Sequence, residues 1–348
     1  MATASDKRKP KKTAAQGSKA ATRARQAKSQ AAIPAPVAAS APAAPPRAAK
    51  PGLPHGIILG VLLALVVLVS VEVVILMKDK ADRKRILRVV EVVPERGGPP
   101  DMPGKFWGPY QVKVNEQAGR LALVDHAFNK VVLWDLATKK HVVDVNAALL
   151  GREQFVPKDV DVADDGDYYI LDHSDMTVKR FSAQNQLVQQ WKIPESVSLT
   201  AGKDRDVYVL DGRAQEIVHY QNDGTELGRF GKGKLKNGLL MDTDEAGNIY
   251  VVDSGYNGMV VFSKAGKHLY SWPIKEVKPL QMSRMAAVNN QVYFYDLVNN
   301  NGIIRVYTPK GRLAWDIGPQ RTESFDVGRS GTVYMSGNDG IVIQQIEK

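Results

Sequence analysis

The sequence predicts an all-β fold: a six-bladed β-propeller, preceded by a disordered tail and a single transmembrane helix. Three observations predict it. A short strand ending in aspartate recurs five times after residue 104, a 21-residue apolar run lies at 57–77, and the net charge is confined to the first 55 residues.

The tail comes first. Residues 1–55 hold eleven Lys and Arg against Asp6 alone, which is the whole formal charge of +10 on the 348-residue chain. The remainder is neutral, so the folded part exerts no net pull on phosphate, and nucleic acid is not a favoured partner. Ala, Lys, Arg, Pro and Ser dominate 1–55, and such a segment buries too little apolar surface to offset its conformational entropy. Its later part, Ile33 to Pro54, is Ala/Pro-rich and reads as an extended spacer. The absence of cysteine excludes disulfides, thiolate metal sites, a cysteine nucleophile and covalent c-type haem.

Residues 56–77 form the predicted transmembrane helix. Ile57 to Met77 (IILGVLLALVVLVSVEVVILM) carries one charge, Glu72, and is followed by Lys78, Asp79 and Lys80 rather than a cleavage site. About 20 apolar residues span a bilayer core, whereas a cleavable signal has a shorter apolar region. The basic tail favours an N-terminus inside and a propeller outside a cytoplasmic (inner) membrane, periplasmic or extracellular, although Lys78 to Arg88 pull the other way. Glu72 either snorkels to the interface or makes a polar contact with a partner's helix. Residues 78–104 are a juxtamembrane linker.

The propeller domain is 105–348. LALVD (121–125), YYILD (168–172), VYVLD (207–211), IYVVD (249–253) and VYFYD (292–296) place Asp125, Asp172, Asp211, Asp253 and Asp296 47, 39, 42 and 43 residues apart, and VYMSG (333–337) is a sixth copy. Each is followed by a turn, a second strand such as VVLW (131–134) or MVVF (259–262), and a third that ends near an aromatic: Trp191, Phe230, Trp272 or Trp315. Hairpin turns such as DEAGN (244–248) precede the Asp strands and supply the positive φ that Gly tolerates. Four short strands per unit of about forty residues is the arithmetic of a propeller blade.

The fourth unit, LLMDTDEAGNIYVVDSGYNGMVVFSKAG (239–266), resembles the NHL-repeat family of six-bladed propellers. The resemblance extends over roughly 105–348 and implies the fold. It departs at AFNKV (127–131) and GYNGM (255–259), where family members often carry Asn-His-Arg. The last unit lacks an outermost strand, and the run 86–93 (ILRVVEVV) is the candidate to pair beside 340–346 and close the ring.

The five aspartates read as a structural repeat, each accepting backbone N–H groups of its own turn. His126 and His173 directly follow two of them. Some relatives of this fold, the peptide-amidating lyases, are similar in holding zinc with propeller histidines, but no third histidine occupies an equivalent position and a catalytic zinc takes about three protein ligands. No metal and no cofactor is therefore expected. The run DVDVADDGD (159–167) lacks the spacing of a calcium loop and reads as a solvated hairpin turn, with Val160 and Val162 alternating into the core. The recurring aromatics read as blade-to-blade packing, and Trp107 in KFWGPY either as an exposed partner contact or as the start of the first blade. No catalytic motif is present, so the expected function is not enzymatic. It is a protein–protein interaction or scaffold module at the cell envelope, with a protein partner at the propeller face and the basic tail on acidic lipids. The alternative is a metal-dependent lyase or hydrolase with its site at the propeller axis. The oligomeric state is left open.

Overall fold

The computed structural model describes residues 64–70, 73–74, 84–95, 102–275, 282–296, 302–318, 322–336 and 340–347. The predicted tail 1–55, most of the span 56–77 and Glu72 lie outside them. Residues 64–70 and 73–74 are helical with exposed side chains, and no helix among the described residues is long and apolar enough to cross a membrane.

From Lys84 onward, runs of β-branched and aromatic residues separated by Gly, Asn and Asp turns form strands. The first is β1 (Lys84–Glu95). Four sheets of four follow. One is β2–β5 (Pro109–Asn115, Arg120–Asp125, Lys130–Asp135, Lys140–Val145). The next is β6–β9 (Pro157–Val162, Tyr168–Asp172, Thr177–Phe181, Leu187–Lys192). Then come β10–β13 (Ser196–Ala201, Val207–Asp211, Glu216–Tyr220, Glu226–Phe230) and β14–β17 (Gly238–Thr243, Ile249–Asp253, Gly258–Phe262, His268–Pro273).

The last sheet has eight strands, in the order β18-β19-β20-β21-β1-β24-β23-β22. Its strands are β18 (Met282–Val288), β19 (Gln291–Asp296), β20 (Ile303–Tyr307), β21 (Leu313–Ile317), β22 (Phe325–Val327), β23 (Val333–Ser336) and β24 (Gly340–Glu347), with β1 among them. It falls into two antiparallel quartets. A short parallel contact joins them, pairing Lys84 with Asp316 and Arg85 with Ile317.

The first strands of the quartets stand side by side: β2 against β6, then β10, β14, β18 and β22, which returns to β2. The sheets are thus arranged round an axis as a β-propeller. Apolar cores fill the gaps between successive sheets, for example Val124, Val131 and Phe155 with Val160, Tyr168 and Ile170. The recurring aromatics sit in these gaps. Trp191 contacts Tyr169 of its own sheet and Tyr220 of the next, and Trp272 contacts Phe294 and Tyr307 of the next. Gly311, at φ +82°, lies so close to Trp272 that a Cβ there would come within 2.4 Å of the ring.

The closing quartet is made by two distant parts of the chain. β1 runs antiparallel to β24, with Leu87 opposite Ile346 and Val89 opposite Gln344. This covers the outer edge of β24, whose N–H and C=O groups would otherwise be open. Leu87 inserts into the core shared by the last two quartets, beside Ile317, Val333 and Met335, while Val89 and Val90 are exposed. Substituting Leu87→Ala is expected to lower unfolding free energy by about 2–3 kcal/mol in urea titration, and Val89→Ala by under about 1 kcal/mol. Equal effects would mean that β1 does not pack as described.

Candidate functional site

In an antiparallel ladder, alternate N–H groups of a strand face its partner and the others face away. The strands nearest the axis have a partner on one side, so their axial N–H groups need acceptors from elsewhere. Side chains two residues apart provide them. Asp159 Oδ1 accepts from Val160 N at 2.8 Å, and its Oδ2 accepts from Leu199 N at 2.8 Å and Ser198 Oγ at 2.9 Å. Asp161 repeats the arrangement with Val162 N at 2.9 Å, Ala201 N at 2.8 Å and Thr200 Oγ1 at 3.0 Å. These two aspartates therefore staple β6 to β10. On β22 and beside it, Asp326 and Ser324 accept from Val114 N and Val112 N of β2, and Asp242 of β14 accepts from Ala287 N of β18.

These acceptors surround a cation. Lys113 projects from β2 into the axis and its Nζ donates to Asp242 Oδ1 at 3.0 Å. Burial works to lower the Lys113 pKa, but Asp242, Asp326, Asp161 and Asp159 together carry it well above the ordinary lysine value. One lysine does not balance four carboxylates in a buried space. Burial pushes Asp161 up to about 6 and Asp326 up to about 7, with Lys113 opposing and Asp242 adding to the rise. The cavity at this end of the axis has a volume of about 630 Å³ and includes Lys113, Asp161, Asp242 and Asp326 in its wall. At its rim Arg329 reaches Asp164 at 2.9 Å.

The opposite mouth, on the side of the Asp turns, is basic. Arg284 extends from β18, donates to Ser324 Oγ at 3.1 Å and lies with its Cζ 4.1 Å from the ring centre of Tyr110 on β2. Lys158 Nζ lies 4.6 Å from the same ring centre and 2.8 Å from its hydroxyl. His126 stacks on that ring at 3.8 Å. Burial is the first cause lowering the His126 pKa and Lys158 the next.

The recurring aspartates all end the second strand of a quartet and are buried. Asp125 accepts from Ala127 N and Phe128 N of its turn, and from Trp107 N and Gly108 N ahead of β2. Asp253 similarly accepts from Tyr256 N, Lys236 N and Asn237 N. Asp172 takes Ser174 N, Val156 N and Lys179 Nζ. Asp211 takes Arg213 N and Ala214 N, and Asp296 the Nε of Arg305. His126 and His173 have separate engagements: His126 on Tyr110, and His173 Nε2 at 2.7 Å from the Ser196 carbonyl. Among the described residues no three His, Cys, Asp or Glu side chains are grouped to hold a metal. Trp107 is 49% exposed.

The run 159–167 departs from its sequence reading. Val160 and Val162 are buried as expected, but Asp159 and Asp161 face the axis as backbone acceptors. The solvated turn is confined to the residues after them. Lys113, Asp242, Arg284 and Asp326 escaped the sequence reading altogether. For Lys113 and Asp326 the signal was a pair of polar side chains at alternate positions, shared by four of the six first strands or their start: Gln111 and Lys113, Asp159 and Asp161, Ser198 and Thr200, Ser324 and Asp326; Asp242 and Arg284 stand singly in β14 and β18.

No protein-family model matches the sequence, and neither does any curated protein. Solved structures do match. U3-55K is similar with a TM-score of 0.54 at 15% identity, over 75% of this chain and 86% of that one. The RRP9 WD40 repeats give 0.54 at 14%, over 74% and 84%. A streptogramin B lyase gives 0.51 at 13%, over 69% and 94%. At such identities the likeness shows the fold, a β-propeller, while function resides in the site that a fold carries.

The raised carboxylates predict a pH dependence. An acid whose folded pKa exceeds its unfolded value of 3.8 binds an extra proton in the folded state, so its contribution to stability falls as pH rises from about 4 to about 7. Asp326→Asn keeps an oxygen for Val114 N–H and cannot ionise. Relative to the wild type, it is expected to gain on the order of 1 kcal/mol or more between pH 5 and pH 8. Thermal unfolding at the two pH values measures this, and identical pH dependence in both proteins would contradict it.

Proposed function

We propose that the protein is a membrane-anchored interaction module. In this reading a six-bladed propeller of NHL type is tethered by residues 56–77 to the outer face of a cytoplasmic membrane, with the basic tail on acidic lipids inside. It docks a protein or peptide on its Asp-turn face. The observation that carries the docking reading is the contrast between axis and face. Along the axis the carboxylates are used as acceptors for neighbouring strands. On the Asp-turn face, Trp107 at 49% and Val156 at 41% exposure are large apolar side chains open to solvent. They share that face because His126 N donates to the Gly108 carbonyl and His173 N to the Val156 carbonyl, which ties the loops ahead of β2 and β6 to the Asp turns. Exposed aromatic and aliphatic residues on a rigid scaffold suit partner binding.

The alternative, a metal-dependent lyase or hydrolase at the axis, would need ligands that are free to turn towards a metal. His173 is held by a backbone carbonyl and the axial aspartates by backbone amides, so docking is the better supported reading.

Fusing alkaline phosphatase and, separately, green fluorescent protein after Lys348 in a bacterial host tests the anchoring. Active phosphatase with dark fluorescent protein is expected. Fluorescence with inactive phosphatase would place the propeller inside the cell and overturn the envelope assignment.

A further inference from the structure

Tyr110 is faced by three nitrogen-bearing side chains from three sheets: His126 beside β3, Lys158 of β6 and Arg284 of β18. One cation over a tyrosine ring is a familiar stabilising contact. Converging like charges repel one another, the more so near a buried group, and Arg284 is only 9% exposed. The repulsion is visible in His126, where Lys158 and Arg284 both add to the lowering that burial begins. Lys158 donates to the Tyr110 hydroxyl, and no carboxylate among the described residues is paired with it. Asp159, the acid next to it in the chain, directs both oxygens to backbone amides and Ser198. Lys158, half-buried, and Arg284, buried and within the field of Asp159, thus bring two cations to the axial mouth of the face. Trp107 and Val156 lie on that same face as exposed apolar groups.

We infer that this mouth is a recognition site for a peptide carboxylate carried next to an apolar side chain. The acid group sits against Lys158 and Arg284, and the apolar group on the Trp107 and Val156 side. The inference rests on the Asp-turn face being the docking face and gives its partner a chemistry: acidic and apolar together. A carboxylate relieves the mutual repulsion of the cations, and the charge-assisted hydrogen bonds it accepts are stronger than neutral ones. The carboxylate could belong to a chain terminus or to an acidic side chain, since both present the same group.

Titration of the full-length chain in detergent micelles, followed by the ring resonances of His126, tests this at constant ionic strength. The probes are N-acetyl-leucine, which has a terminal carboxylate, N-acetyl-glutamyl-leucinamide, which has a side-chain carboxylate, and uncharged N-acetyl-leucinamide. At least one acid is expected to shift the His126 signals and raise its pKa, and which one responds more strongly identifies the source of the carboxylate. The amide is expected to leave the signals in place. Lys158→Gln retains a donor for the tyrosine hydroxyl and is expected to weaken acid binding about tenfold while melting close to the wild type. The inference is overturned if neither acid responds, if the amide responds as strongly, or if Lys158→Gln binds the acids unchanged. A propeller found inside the cell by the fusion experiment would leave this result standing, so the two failures are distinct.

Discussion

The innermost strand of a propeller blade has a hydrogen-bonding neighbour on one side and the axis on the other. Its axial N–H groups are shielded by the ring and too far from the next blade's backbone to pair with it, and an unsatisfied buried donor costs on the order of 1–3 kcal/mol. Here Asp159, Asp161, Asp242, Ser324 and Asp326 meet that need, each reaching the strand of the neighbouring quartet. The solution creates its own difficulty, because carboxylates crowd the axis. Lys113 neutralises part of the charge, and burial, with Asp242 adding to it, raises the pKa values of Asp161 and Asp326.

A second edge lies on the outside. Quartets built from consecutive strands leave β22–β24 one strand short, and β1 fills that place from the other end of the described chain. Closure joins residues some 250 positions apart, a loop whose entropy must be overcome by pairing along β24 and by the burial of Leu87. β1 also begins seven residues after the apolar run that ends at Met77. In the proposed arrangement, the strand that closes the ring is thus the strand next to the anchor, and the two roles cannot be separated by a long linker.

The repeat was readable because it rests on local chemistry. An apolar strand, an aspartate that caps its turn and a glycine at positive φ are each specified within a few residues, as at Asp253 and Gly247. The aromatics were readable for the same reason, since Trp191 and Trp272 recur at one offset. The axial residues were not. Lys113, Asp242 and Asp326 are single polar residues in short strands, and such residues ordinarily point to solvent. Only the ring decides that their strands are innermost and that their side chains face inward. Tyr110, Lys158 and Arg284 are 48 and 126 positions from one another in sequence, and no local pattern joins them. Asp159 and Asp161 show the limit well, because the alternation of DVDV was visible while the occupant of its polar side was not.

The axial carboxylates accept backbone amides of neighbouring strands and so serve the fold, and in the proposed reading recognition falls to the basic, partly apolar Asp-turn face. Native-state hydrogen exchange tests that division most directly, at the axial amides of Val112, Val114, Leu199, Ala201 and Ala287. If side-chain oxygens hold them as described, their protection will approach that of central-strand amides such as Val209 and Val251. Exchange as fast as that of the exposed turn at Thr138 would show that the staples do not form, and the axis would again be a candidate for chemistry.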